Sequence, residues 1–136
     1  FFVAATPGFG LGPGMYSYDS WSHELVRLEG GEAPAARAIS AALRNIGRPD
    51  APDCVLLIVT ARVPRLAWKY EGIAYRMALI ELGIFIQTVY LAGVQLGLGV
   101  CAVGGGLDDT FDTMGIDPLE ETPIGEILIS RRRGDR

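Results

Sequence analysis

Short apolar runs, broken by glycine and proline, alternate along this chain with stretches of helical spacing. Phe1–Thr6 is a short apolar run that reads as a buried strand. The segment PGFGLGPG, from Pro7 to Gly14, is a loop by its glycine and proline content. Met15–Tyr18 and Glu24–Leu28 read as two strands of a hairpin, joined by the turn formers Asp19-Ser20-Trp21-Ser22-His23. Pro34–Ile46 reads as a helix: proline suits a first turn, alanine and arginine propagate it, and Gly47 with Pro49 stops it. Cys54–Val63 is a continuous, β-branched apolar run, the pattern of a strand buried on both faces. Arg65–Tyr70 reads as a short link or a single helical turn. Gly72–Leu96 reads as one long helix, with Ala74, Met77, Ala78, Leu82, Phe85, Ile86, Val89 and Leu96 around most of its circumference. Gly97 and Gly99 end it. A short strand at Val100–Val103, a triple-glycine turn, a short helix from Asp108 to Met114 and a last strand at Ile124–Ser130 complete the pattern. The expectation is one α+β domain over residues 1–136, with a central buried helix on a mainly antiparallel sheet.

The 136 residues allow one domain with a genuine core. The composition, 49% hydrophobic and 21% charged, is that of a globular chain and excludes disorder. The net charge of −4 argues against nucleic acid, since neutralising phosphates takes an excess of lysine and arginine. Cys54 and Cys101 lie in apolar runs and read as reduced core residues. One histidine, His23, and no Cys/His spacing leave no metal site to expect. Leu82–Leu107 carries no charge and is long enough to raise a membrane span. Gln87, Gln95 and interspersed glycines, without close basic flanks, favour burial in a core instead, so no membrane is expected. The opening FFVAATPGF starts inside a strand-like run, without methionine or a signal pattern. A piece of a longer, cytoplasmic protein is expected.

Three places hold candidate chemistry. Lys69, the single lysine, adjoins Tyr70 at the mouth of the long helix. A partly buried lysine beside a phenol can act as an acid/base pair; an exposed lysine lying over aromatic rings is the plainer alternative. Gly104-Gly105-Gly106 follows a strand and leaves backbone amides without side-chain cover, fit to meet a planar ligand edge or an anion, or simply to turn the chain. The GxG at Gly97–Gly99 follows a helix, which is the wrong order for a dinucleotide fingerprint. Arg131-Arg132-Arg133 is either a solvated end or a holder of a phosphate monoester.

The segment WKYEGIAYRMALIELGIFIQTVYLAGVQLGLGVCAVGG, Trp68–Gly105, resembles the SagB-type (McbC-like) branch of the nitroreductase superfamily. Those proteins are FMN-dependent dehydrogenases of thiazole- and oxazole-forming peptide pathways. Pro13-Gly14-Met15-Tyr16-Ser17-Tyr18-Asp19 resembles the family's hairpin, and Pro123–Ser130 its final strand. The resemblance implies a nitroreductase-like fold, of which this chain is the C-terminal part, and an intertwined homodimer built on the long helix. It implies FMN as cofactor, with Val103, Gly104 and Gly105 at the flavin N5 edge and Arg131 and Arg133 at the phosphate. Lys69 and Tyr70 fall on the family's catalytic Lys-Tyr pair. In azoline dehydrogenation such a pair would remove the α-proton while hydride leaves to the flavin. The implied partners are a peptide or carrier-bound substrate and further biosynthetic proteins.

The sequence departs from the family pattern at Ile84, where histidine is common, at Thr88, where asparagine is common, and at Gly106, where an aromatic is typical. Two other functions therefore stay beside the first. One is a flavin-free scaffold or partner subunit of a biosynthetic complex. The other is an NAD(P)H-dependent nitro or quinone reductase.

Overall fold

A computed structural model of the chain describes residues 1–49, 53–105, 111 and 114–131. Its element order is β1 (Phe2–Ala5), β2 (Gly14–Asp19), β3 (Glu24–Arg27), α1 (Glu32–Asn45), β4 (Cys54–Ala61), α2 (Val63–Tyr70), a 3-10 turn (Glu71–Ile73), α3 (Ala74–Gln95), β5 (Leu98–Val103) and β6 (Thr122–Arg131). The six strands form one sheet in the order β3-β2-β1-β4-β6-β5. Every neighbouring pair is antiparallel. The expected α+β class with an antiparallel sheet is what the chain forms.

The buried strands sit mid-sheet. β4, the most continuously apolar run, lies between β1 and β6, and its Leu56 and Ile58 are fully buried. Thr6 ties the end of β1 to the start of β4: its hydroxyl donates to the Cys54 carbonyl and accepts from the Cys54 amide, both at 2.9 Å. Alternation then decides which residues meet which helix. On one face Phe2, Ala4, Leu56, Ile58 and Leu128 pack with Ala35, Ala38, Ile39 and Ala42 of α1. The small alanines on that side of α1 let it lie close to the sheet. On the other face Val3, Ala5, Tyr16 and Val55 form a second cluster with Phe1, Phe9, Leu11 and Leu57.

The long helix α3 crosses this second face, over β5 and β6. Its seat depends on two positions without side chains. A β-carbon at Gly125 of β6 would come within 2.7 Å of Leu82, and one at Gly93 of α3 would overlap Val100 of β5. Phe85 meets the ring of Phe1, which in turn stacks on Tyr18 at 4.5 Å. The helix stops at Gly97, which takes a positive φ of 71°, as a left-handed C-terminal glycine should.

Three expectations need correction. Arg65–Tyr70, expected as a short link or a single helical turn, is the end of a longer regular helix, α2. Pro64 ends the strand but also suits a first helical turn, where no amide hydrogen is needed. The stretch beginning at Gly72 is not one helix throughout: Glu71 has φ 46° and ψ −130°, and the 3-10 turn follows before α3 starts. Finally, α3 is central in the chain but not buried within it. Only Ala74, Ala78 and Gly93 are buried, while Ile73, Tyr75, Ile80, Ile84, Leu91 and Val94 are exposed. A helix apolar all round can turn only one side to a single sheet. The expected helix at Asp108–Met114 lies mostly outside the described residues.

Candidate functional site

β5 is the last strand of the sheet and pairs on one side only. Among the described residues no strand pairs with its other edge. The amide of Ala102 points to that edge and donates to the Tyr90 hydroxyl of α3 at 2.8 Å. Gly104 follows directly on Val103, the last residue of the strand. Gly104 is exposed, and a β-carbon there would meet nothing within 4 Å. A flat ligand edge can therefore reach this backbone without displacing a side chain. Val103, just before it, is buried and anchors the strand end in the α1-side core.

Gly105 has a different environment. A β-carbon there would overlap the side-chain amide of Asn45, and it would lie 3.6 Å from a carboxylate oxygen of Glu126. Asn45 is the last residue of α1. Glu126 is on β6, opposite both Val103 and Ile58, and is only 5% exposed. Two adjacent glycines thus do different work: Gly104 leaves room outside, and Gly105 leaves room inside.

Lys69 and Tyr70 close α2. Lys69 is exposed, and its Nζ lies 5.2 Å from the centroid of the Tyr70 ring, within cation–π range. The ammonium rests on the ring face, the plainer of the two arrangements expected from the sequence. Trp68 beside them is 80% exposed. Immediately after Tyr70 comes the positive φ of Glu71, a conformation that an L-residue holds only at a cost.

Arg131 sits elsewhere. It pairs with Leu98 in the sheet register, whereas Glu126 pairs with Val103. At roughly 3.4 Å per residue, the glycine turn and Arg131 stand about 17 Å apart along the β5–β6 ladder. The guanidinium donates to the Gly8 carbonyl at 2.7 Å and lies 5.7 Å from the Phe9 ring centroid. Within one chain the described residues therefore place the ring-edge candidates and Arg131 at opposite ends of one strand pair. Arg133 lies outside the described residues, as does Gly106.

Several residues near these places escaped the sequence reading. Tyr90 looked like one more apolar face of the long helix, yet its hydroxyl caps the β5 edge. Glu126 was legible in principle, as the one acid within the apolar run Ile124–Ile129. Asn45 carried no signal, because its contact spans the fold. A further cavity of about 520 Å³ opens between the start of α2 and residues 115–121. Arg62, Arg65, Asp117 and Glu121 line it, and none of the expected site residues does. There Glu121 is held by Arg62 at 3.2 Å and by the Thr60 hydroxyl at 2.8 Å.

The two cysteines are free. Burial, and then the nearby Asp53 carboxylate, push the Cys54 thiol up, so it remains a protonated core residue. Among the described residues no group of acids, histidines and cysteines could hold a metal ion. One helical stretch, Val63–Gln95, is long and apolar enough to cross a membrane by length and composition.

Residues 10–127 match the nitroreductase family. A protein of Methanocaldococcus jannaschii named as a nitroreductase is 33% identical over 123 residues, which is 90% of this chain and 60% of that protein. The chain thus spans about three-fifths of that relative's length. Among solved structures, a protein of Anabaena variabilis titled as a nitroreductase superposes over 97% of this chain and 26% of its own, with a TM-score of 0.77 and 26% identity. The Escherichia coli microcin synthetase McbBCD complex, with truncated pro-MccB17 bound, contains a chain that superposes at a TM-score of 0.68 and 20% identity. That match covers 97% of this chain and 51% of the other, and at this identity it is a likeness of fold.

Proposed function

We propose, from the premise that this chain belongs to the nitroreductase family, that it is the C-terminal part of an FMN-dependent oxidoreductase. Its substrate would be a peptide-derived azoline, oxidised to the azole, or a related natural-product intermediate. The observation that carries the reading is the exit of β5. Just beyond the Ala102 amide, which the Tyr90 hydroxyl takes, Gly104 is exposed and has free space where a side chain would stand.

The residues present fit the polar edge of a flavin ring. Gly104, between Val103 and Gly105, would present its backbone amide to that edge, a dipole that favours an electron-rich ring. FMN, when bound, supplies the two-electron acceptor that no side chain can provide. Arg131 offers a guanidinium suited to a phosphate, but it would have to leave the Gly8 carbonyl to serve. Lys69 and Tyr70 are assigned the proton-abstracting role, which the Lys-Tyr resemblance supports.

We further assign the open apolar face of α3 to a second copy of the chain, as the intertwined arrangement implied by the resemblance requires. A site divided between copies would also relieve the separation of Arg131 from the glycine turn within one chain. The engaged state of Arg131 favours a second reading, a flavin-free partner subunit of a biosynthetic complex.

Titrating the purified chain with FMN, followed by quenching of flavin fluorescence, tests the cofactor assignment. Saturable binding is expected, together with azole formation when a peptide azoline is added. Lys69→Ala should lower turnover by about 10²-fold or more, within the range for loss of a general base, while leaving FMN affinity unchanged. No quenching at any FMN concentration would favour the partner-subunit reading. NAD(P)H oxidation with a quinone, without azole formation, would favour the reductase.

A further inference from the structure

The cavity between the start of α2 and residues 115–121 has no part in the flavin reading. Its volume, about 520 Å³, lies within the roughly 300–1,000 Å³ of small-molecule sites. Most of its lining residues are charged, and they are not equivalent. Glu121 is committed: its Oε1 accepts from the Thr60 hydroxyl at 2.8 Å, and its Oε2 accepts from Nε and Nη2 of Arg62 at 3.3 and 3.2 Å. Arg62 and Glu121 therefore cancel each other. Arg65 and Glu120 are uncommitted: among the described residues no hydrogen bond or ion pair engages either side chain. Asp117 commits one carboxylate oxygen, to the Leu119 amide at 2.8 Å. The same turn brings the Glu120 and Glu121 amides onto the Asp117 carbonyl at 3.1 and 2.9 Å, which holds the acidic wall in place. Arg65 is held opposite, on α2. The cavity thus keeps a guanidinium and two carboxylates on its walls without letting them pair. A purely anionic or purely cationic guest gains from one wall and is repelled by the other; a guest with both signs gains from both.

We propose that this cavity binds a zwitterion, an amino acid or a short peptide, with its carboxylate on Arg65 and its ammonium on Asp117 and Glu120. A guanidinium meets a carboxylate through two parallel N–H donors, and an ammonium brings three donors for carboxylate oxygens to accept. The Arg62–Glu121 pair lends shape and no net charge. Arg65 and Lys69 are four residues apart in α2, so they share a face of the helix about 6 Å apart along its axis. A peptide end seated in the cavity therefore lies one helical turn from the Lys69-Tyr70 pair. That last consequence rests on the substrate reading above; the cavity's preference for a zwitterion does not.

Trp68, 80% exposed and three residues beyond Arg65 on α2, reports occupancy by its fluorescence. With Trp21→Phe as background it is the only tryptophan. Titrating the FMN-free chain with triglycine should change that fluorescence saturably. N-acetyl-triglycine lacks the ammonium and triglycine amide lacks the carboxylate; each should bind about tenfold more weakly, the loss of one charge-assisted contact. Arg65→Gln should weaken triglycine about tenfold and leave triglycine amide unchanged, because the group it would meet is already gone. Asp117→Asn/Glu120→Gln should weaken triglycine and leave N-acetyl-triglycine unchanged. The blocked peptides test both walls without altering the protein. Glycine binding as tightly as triglycine would identify the zwitterion as an amino acid; triglycine binding more tightly would identify it as a peptide. Equal binding of triglycine and its two blocked forms, or no binding at millimolar concentration, would overturn the proposal. So would an Arg65→Gln variant that weakens all three ligands alike. If the zwitterion pattern holds and FMN never binds, the cavity stands and the flavin reading fails; if FMN binds and triglycine does not, the reverse holds.

Discussion

Glu71 shows how much one residue can reveal. Its φ of 46° with ψ −130° belongs to a region that glycine enters freely and other residues enter under strain. It directly follows Lys69-Tyr70 and turns the chain from α2 towards α3. Strain of this kind persists only where the surroundings hold it. Glu71→Gly should therefore stabilise the chain by about 1 kcal/mol, the strain relieved less the entropy that glycine adds to the unfolded state. A urea unfolding midpoint that falls instead would show that the Glu71 side chain contributes more than its backbone costs. The Lys69-Tyr70 pair was legible from adjacency alone. So was the plainer of its two arrangements, an exposed lysine lying over an aromatic ring, which is the one formed.

At the level of elements, legibility followed the strength of the pattern. β4 and α1 were foreseen because each meets a single environment: β4 is covered on both faces, and α1 has one alanine-rich buried side. α2 was foreseen only as a link or a single turn, because Pro64 carries two meanings, a strand end and a helix start. The 3-10 joint after it was missed because it depends on a strained, non-glycine residue. The core that β4 builds can be tested directly. Leu56 is fully buried between β1 and β6 against α1. Leu56→Ala should lower stability by roughly 2–5 kcal/mol, the loss of transfer energy plus the cavity left behind. That is a large part of the 5–15 kcal/mol typical of a whole domain. A loss below 1 kcal/mol in chemical denaturation would mean that the sheet and α1 close over the gap.

For the whole molecule, the telling quantity is the apolar surface that one chain leaves uncovered. Ile80, Ile84, Leu91 and Val94 of α3 are each more than half exposed. Contiguous apolar surface on that scale marks an interface. The sequence showed a helix apolar all round, read as a core helix and, through the resemblance, as the central helix of an intertwined dimer. Among the described residues the sheet takes one side of α3, at Gly125 and Gly93, and the other side stays exposed. The assigned partner is a second copy. Sedimentation of the purified chain should accordingly give a dimer at micromolar concentration. Ile84→Glu/Leu91→Glu should shift it to monomer, because two carboxylates would have to be desolvated at the contact. The monomeric variant should retain the far-ultraviolet spectrum of the parent, since neither residue contributes to the two buried clusters. If the flavin site is divided between copies, the same variant should also lose FMN binding, although both substitutions lie far along α3 from the Lys69-Tyr70 pair. A parent that sediments as a monomer would remove the second copy from the assignment. Co-sedimentation of that monomer with lipid vesicles would give the apolar face to a membrane instead.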